Sequence, residues 1–196
     1  MKFALMVITI LLSYAAFSFQ LVAHRGASTI APENTLASIM LAYKQGALAA
    51  ECDIQITKDN QLVLMHDDSV KRTSGVDKRV DELTYDELKN LDVGSYKGHQ
   101  WAGVKIPLLA DVVNQITEDH LLFIEIKGGD DNAGAPSTTV LALVEFLEKL
   151  PQHRIEQLVF ISFDHDALGR LKFFRPDLLI IPLLTHKPYP GSWPQV

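Results

Sequence analysis

The chain has 196 residues, 24 acidic against 18 basic side chains, and a formal charge of −6. That length carries one domain with a sizeable core, and an acidic chain without a basic run excludes a nucleic-acid partner as the natural reading. The single cysteine, Cys52, excludes an internal disulfide and any cysteine-built metal cage.

Residues 1–18 read as a secretory signal. Lys2 is a minimal positive start, Phe3 to Leu12 form an apolar run, and Ala16 and Ser18 fit the small-residue positions of a cleavage site. The run is short of the roughly 20 apolar residues a membrane span needs. The expectation is an exported protein, periplasmic or secreted, with no stable membrane insertion after cleavage. An uncleaved anchor is the alternative, because Phe19, Leu21 and Val22 nearly continue the run.

A first strand is expected over 21–24 and ends at His24-Arg25-Gly26. Asn34 or Thr35 caps a helix with Leu36, Ile39, Met40 and Tyr43 at helical spacing, and Gly46 ends it. A second strand, 48–56, carries Glu51 and Asp53. Residues i and i+2 of a strand share a face, so these carboxylates point together and Cys52, Ile54 and Ile56 point away. A turn at Asp59-Asn60 leads to a return strand, 61–66. There Leu62, Leu64 and His66 share a face, with His66 at the end. Thr84 to Glu87 form a capping box for a short helix reaching to about Leu91. Another helix follows Pro107, with Leu109, Val112, Val113 and Ile116 on its buried face.

The next strand, 121–126, sends Glu125 and then Lys127 inward and Ile124 and Ile126 outward. A Gly/Asp-rich loop, 128–135, precedes a helix starting at Ser137 or Thr138. A strand over 158–162 leads to a helix capped by Asp164 and closed by Pro176. The last strand is expected over 178–183.

Five strands alternating with helices argue parallel βα units. Two histidines and paired carboxylates near strand C-termini match the active-site layout of α/β barrels. Adjacent carboxylates repel and are costly to desolvate; a cation between them relieves both. Without cysteine, such a cluster favours a hard ion, Mg²⁺ or Ca²⁺. The plainer reading is rim carboxylates paired with Arg25 and Lys127, and a lone strand-end histidine is more often structural.

HRG at 24–26, PENT at 32–35, E-x-D at 51–53, HDD at 66–68 and IEIK at 124–127 together resemble the glycerophosphodiester phosphodiesterase family, over about residues 21–184. The resemblance implies a (β/α)8 TIM-type barrel. Only about five barrel strands plus a hairpin strand are visible, and such a barrel typically takes about 250 residues. Residues 19–196 are therefore expected to be a catalytic domain lacking its C-terminal strands.

The implied activity is hydrolysis of glycerophosphodiesters, such as glycerophosphocholine or glycerophosphoethanolamine, to glycerol 3-phosphate and an alcohol. The implied metal ligands are Glu51, Asp53 and Glu125, with His24 and His66 as general acid and base. Arg25 and Lys127 would hold phosphate. PENT shapes its loop and caps the helix, Asp67 and Asp68 orient the His66 loop, and Arg72 and Thr73 match a recurrent family position with no role evident from sequence. Residues 97–105, with Trp101, are read either as a cap over the site or as core. The partner is a small-molecule substrate; composition does not fix an oligomeric state. A lysophospholipase-D-like enzyme and an inactive truncated fragment are the alternatives.

Overall fold

The computed structural model describes residues 21–127 and 138–184. The expected leader, the 128–135 loop, Ser137 and the proline-rich tail with His186 lie outside the described residues.

Six strands form one sheet: β1 (Val22–Ala23), β2 (Ala49–Ile56), β3 (Leu62–Leu64), β4 (Leu121–Ile126), β5 (Leu158–Ser162) and β6 (Leu179–Pro182). Five run parallel in the order β1-β2-β4-β5-β6, and β3 pairs antiparallel with the end of β2. Helix α1 (Leu36–Lys44) follows β1. Short helices α2 (Lys71–Ser74) and α3 (Tyr85–Leu88), then α4 (Leu109–Gln115), lie between β3 and β4. Helices α5 (Thr138–Glu148) and α6 (Gln152–Ile155) precede β5, and α7 (His165–Phe174) joins β5 to β6. The alternation of parallel strands with helices is the expected βα architecture.

One face of this sheet is dry. Ala50, Cys52 and Ile54 of β2, Leu122, Ile124 and Ile126 of β4, and Leu158 and Phe160 of β5 are buried under the helices. They pack against Ile39 and Tyr43 of α1, Val112 and Val113 of α4, Leu143 and Leu147 of α5, and Leu168 and Leu171 of α7. Fully burying one such Leu, Ile or Phe contributes about 1.5–3 kcal/mol. That packing fixes the strand faces, and alternation then sends Glu51, Asp53 and Glu125 to the other side. Cys52 is a small buried hydrophobe, as its strand position predicts, and burial pushes its thiol well up.

The sheet is an incomplete barrel. Among the described residues β1 and β6 each pair on one side only. Leu179 is 59% exposed and Ile181 41% exposed, so the inner surface is open at the β6 edge. A second apolar cluster, Val63, Met65, Val70, Val80, Leu88, Val93 and Ile106, supports the excursion between β3 and α4.

Local signals explain most boundaries. Thr35 caps α1, its Oγ1 accepting the Ser38 amide while the Ser38 hydroxyl closes the box from the other side. Thr84 and Glu87 form the expected box at α3, though that helix stops at Leu88 rather than about Leu91. Asp164 caps α7. Helix α4 ends at Gln115, and Ile116 is buried just past it. Helices α2 and α6 have too few residues to show a period and are not anticipated from sequence.

Candidate active site

Two strand ends and one helix start converge at the C-terminal edge of the sheet. β1 and β2 run in register, Val22 with Ala49 and Ala23 with Ala50, which brings His24 beside Glu51. Across the other side of β2, Asp53 is paired with Glu125. The sequence-predicted ligands Glu51, Asp53 and Glu125 are thus brought together. All three are buried, and one oxygen from each lies within 4.8 Å of the others.

The turn after β1 is built for close approach. Gly26 sits at φ +76°, and a Cβ there would lie 2.5 Å from the backbone carbon of Ser38. Arg25 is also left-handed, at φ +56°, a strained state for a side chain with a Cβ that costs about 1–3 kcal/mol. Three hydrogen bonds hold it there. Its amide donates to Glu51 Oε2 at 2.9 Å, and its carbonyl accepts the Asn34 amide at 3.2 Å and the Ser38 hydroxyl at 3.0 Å.

The cations sit among the acids. Arg25 Nε lies 3.3 Å from Asp53 Oδ2, and Arg25 NH1 donates to Glu33 Oε1 at 3.0 Å. The Arg25 side chain therefore pairs with Asp53 and Glu33, and it is its backbone, not its guanidinium, that meets Glu51. In the plainer reading, where Arg25 and Lys127 are counter-ions of the rim carboxylates, the partners of the Arg25 side chain are thus Asp53 and Glu33. Lys127 donates to Glu125 at 2.9 Å and lies 3.4 Å from Asp53 Oδ1, and these acids hold its ammonium above its usual range against the opposing cost of burial.

These cations leave the acids incompletely matched. Glu51 Oε1 and Asp53 Oδ1 are buried without a hydrogen bond. Burial first, then the neighbouring Asp53 charge, push Glu51 up to about 8. Buried carboxylate oxygens without a hydrogen bond, in a set of three acids with an oxygen from each within 4.8 Å of the others, fit a hard divalent ion. The buried acidic triad could hold a metal, and Glu51, Asp53 and Glu125 are the residues that would do so.

His24 lies with Nε2 3.8 Å from Glu51 Oε2. Burial, then Arg25, lower its pKa, and His66 is near enough for its charge to add to the effect. His66 reaches the site by a route other than strand alternation. Leu62 and Leu64 face the helix-covered core, the side opposite Glu51 and Asp53. A strand continued to His66 would bury it there. Instead β3 stops at Leu64, Met65 donates its amide to the Asp53 carbonyl, and the chain turns. The His66 carbonyl accepts from Gln55, and its Nδ1 lies 2.7 Å from Asp67 Oδ1. Asp67 meets the His66 ring, and Asp68 ties the same loop to the 79–80 segment, its carboxylate 3.4 Å from Arg79 and its carbonyl accepting the Val80 amide.

The partners of three residues that the motifs already mark are not evident from sequence. Asn34, beyond its place beside the cap, grips Asp53 with its carboxamide. Glu33 joins Arg25 to Arg72. Arg72 in turn holds Asp67. The PENT spacing marks the segment, but only the tertiary approach of α2 shows what Glu33 meets. The 95–101 segment pins the loop after β1: Trp101 Nε1 donates to the Ile30 carbonyl, Lys97 donates to the Ser28 carbonyl, and the Glu33 amide donates to the Tyr96 hydroxyl. It is a surface brace and not core. His120 stacks on Tyr43 and His165 meets the Leu183 carbonyl, so both are structural.

Residues 24–195 match the glycerophosphoryl diester phosphodiesterase family. A glycerophosphodiester phosphodiesterase from Caldanaerobacter subterraneus is 37% identical over 161 residues, 81% of this chain and 64% of the relative. Mouse glycerophosphodiester phosphodiesterase 1 is 34% identical over 86% of this chain and 49% of its own length. The chain thus spans about half to two thirds of these relatives. A phosphodiesterase from Oleispira antarctica, solved in complex with the product sn-glycerol-3-phosphate, superposes with a TM-score of 0.78 at 36% identity, covering 89% of this chain and 70% of that one. The Thermotoga maritima enzyme superposes at 0.68 and 30% identity, covering 88% and 65%. The sheet is part of the TIM barrel these structures share, and the chain belongs to the glycerophosphoryl diester phosphodiesterase family.

Proposed function

We propose that this protein hydrolyses glycerophosphodiesters with small alcohol head groups, releasing glycerol 3-phosphate and the alcohol. The observation that carries the reading is the buried triad Glu51, Asp53 and Glu125 flanked by His24 and by the Asp67-bound His66. The product bound to the Oleispira antarctica relative supports the glycerol 3-phosphate half of the substrate.

A bound Mg²⁺ or Ca²⁺ would neutralise phosphate oxygens and lower the pKa of a water or hydroxyl beside them. Arg25 and Lys127 stand over the same carboxylates and hold the remaining phosphate charge, Arg25 through its planar fork. His24, kept neutral by burial and by Arg25, takes the proton of the attacking water, or of the glycerol hydroxyl when that attacks first and water then opens the cyclic phosphate. As the phosphorus–oxygen bond to the alcohol breaks, His66, entering as the imidazolium, gives its Nε2 proton to the departing oxygen and is left as the neutral ring with its proton on Nδ1. Asp67 on Nδ1 leaves Nε2 as the nitrogen that exchanges that proton. The leader at 1–18 sends the protein out of the cytoplasm in this reading, to where lipid-derived diesters are scavenged.

Hydrolysis of glycerophosphocholine by the purified full-length chain with Mg²⁺ or Ca²⁺, followed by coupled detection of glycerol 3-phosphate, tests the reading. Release of glycerol 3-phosphate supports it. Inertness toward glycerophosphocholine with head-group release from a lysophospholipid would replace it by the lysophospholipase-D-like alternative, and no turnover of either would mark an inactive fragment.

A further inference from the structure

We propose that Arg72 is a positioning residue of this site: by gripping Glu33 and Asp67 together it locks the Arg25 loop to the His66 loop and sets which ring nitrogen of His66 meets the substrate. The proposal rests on the phosphodiesterase reading above and adds a part to it.

All three nitrogens of the guanidinium are used. Arg72 Nε donates to Asp67 Oδ2 at 2.6 Å, NH1 to Glu33 Oε2 at 2.8 Å and NH2 to Glu33 Oε1 at 2.7 Å. Each carboxylate passes the contact on. Asp67 Oδ1 meets His66 Nδ1 at 2.7 Å, while Glu33 Oε1 accepts Arg25 NH1 at 3.0 Å, and Arg25 Nε lies 3.3 Å from Asp53. A continuous file of charged groups therefore runs from the ring of His66 to the acidic triad, with Arg72 at its middle. The planar fork meets Glu33 with two parallel donors and Asp67 with a third, an orientation that the point charge of an ammonium does not reproduce.

The scaffold under Arg72 is firm. Val70 before it and Thr73 after it are buried, the Thr73 hydroxyl donates to the Val70 carbonyl, and Gly75 at φ +78° ends α2. The Arg72 side chain itself is 44% exposed, and an ion pair that open to water contributes little to stability. What its three donors do fix is geometry. They hold Asp67 as an ionised acceptor, with Arg72 the largest influence drawing it down to about 2. An acceptor-only carboxylate on Nδ1 requires the proton there, which leaves the lone pair of the neutral ring on Nε2. Without Arg72 the Asp67 carboxylate is free to turn, and both tautomers of His66 become available.

The test uses the full-length chain and the variants Arg72→Gln and Arg72→Lys, with Arg79→Gln as a control on the neighbouring surface. Steady-state hydrolysis of glycerophosphocholine should show kcat lowered roughly 10- to 100-fold in both Arg72 variants, the scale of a lost supporting contact. KM should move far less, Lys should fail to rescue Gln, and Arg79→Gln should match the parent. Nitrogen-15 spectra of the histidines at pH 8 should show His66 as the Nδ1–H tautomer in the parent and a mixture in Arg72→Gln. Unchanged kcat and an unchanged tautomer in a folded Arg72 variant overturn the proposal; should Arg72→Gln not fold, Arg72→Lys decides. If the parent itself does not turn over glycerophosphocholine, the phosphodiesterase reading falls, and the tautomer comparison still decides the positioning role.

Discussion

Asn34 holds Asp53 at both ends of its carboxamide, donating from Nδ2 to Asp53 Oδ2 at 2.7 Å and accepting the Asp53 amide on Oδ1 at 3.0 Å. Both residues are buried, and Asn34 adopts φ +53° to reach across. Asparagine tolerates that left-handed state better than most residues. Asn34→Gly keeps the backbone at ease but takes the acceptor from the buried Asp53 amide, at about 1–3 kcal/mol, and leaves Asp53 Oδ2 with Arg25 alone. Urea denaturation should show a loss of a few kcal/mol. A loss under about 0.5 kcal/mol, the range of a neutral surface change, would mean that the pair does not restrain Asp53.

The triad predicts the metal behaviour. Asp53→Ala and Glu125→Ala should abolish Mg²⁺ or Ca²⁺ binding measured by calorimetry, because each removes an oxygen from a set that meets within 4.8 Å. Burial and Asp53 push Glu51 up to about 8 in the metal-free protein. Binding must then displace its proton, so affinity should rise with pH between about 6 and 8. Unchanged affinity in both variants would contradict the site, and a flat pH profile would contradict the Glu51 part of it.

Acid stability should report the Arg72 hub. Arg72 draws Asp67 down to about 2 from its ordinary 3.8, and Glu33 is lowered by Arg72 and then Arg25 against the opposing cost of burial. Groups with depressed folded pKa values stabilise the fold above their unfolded pKa and lose that contribution as pH falls through the folded value. The stability of the parent should therefore decline between about pH 4.5 and 2, and Arg72→Gln should flatten that limb. Both carboxyls are partly open to solvent, so the effect will be modest. Superimposable acid limbs for parent and variant would show that the pairs do not form in solution.

Export predicts a mature chain beginning near residue 19. Mass spectrometry of the protein recovered outside the cytoplasm should find cleavage after Ser18. An intact Met1 on protein from the soluble cytoplasmic fraction would refute the leader.

What the sequence reveals here is mostly what period two and capping chemistry encode. Alternation places Glu51, Asp53 and Glu125 on one face, and the register of β2 with β4 puts Asp53 opposite Glu125 as the pattern requires. Thr35, Thr84 and Asp164 act as caps because their oxygens fall where the first-turn amides need them. The same alternation misleads at His66, since β3 stops two residues before it and the turn reverses the side-chain direction. The partners of Arg72, Glu33 and Asn34 were illegible for another reason. They are 19 to 39 residues away for the Asn34–Asp53 and Arg72–Glu33 bonds, and no local period records a tertiary meeting between loops. The left-handed backbone of Arg25 and Asn34 is equally unmarked in residue type for the former, whereas Gly26 beside it is a fair signal.

Paired histidines doing proton transfer beside the triad are the centre of the proposed mechanism, and turnover by His24→Ala and His66→Ala tests them most directly. General acid–base groups typically contribute about 10²- to 10⁴-fold each. With metal saturating, hydrolysis of glycerophosphocholine should show kcat reduced by roughly that factor in either variant. KM should change little, since both variants keep Arg25 and Lys127, the proposed phosphate ligands. Near-parental kcat in both variants would contradict the account and make these histidines structural.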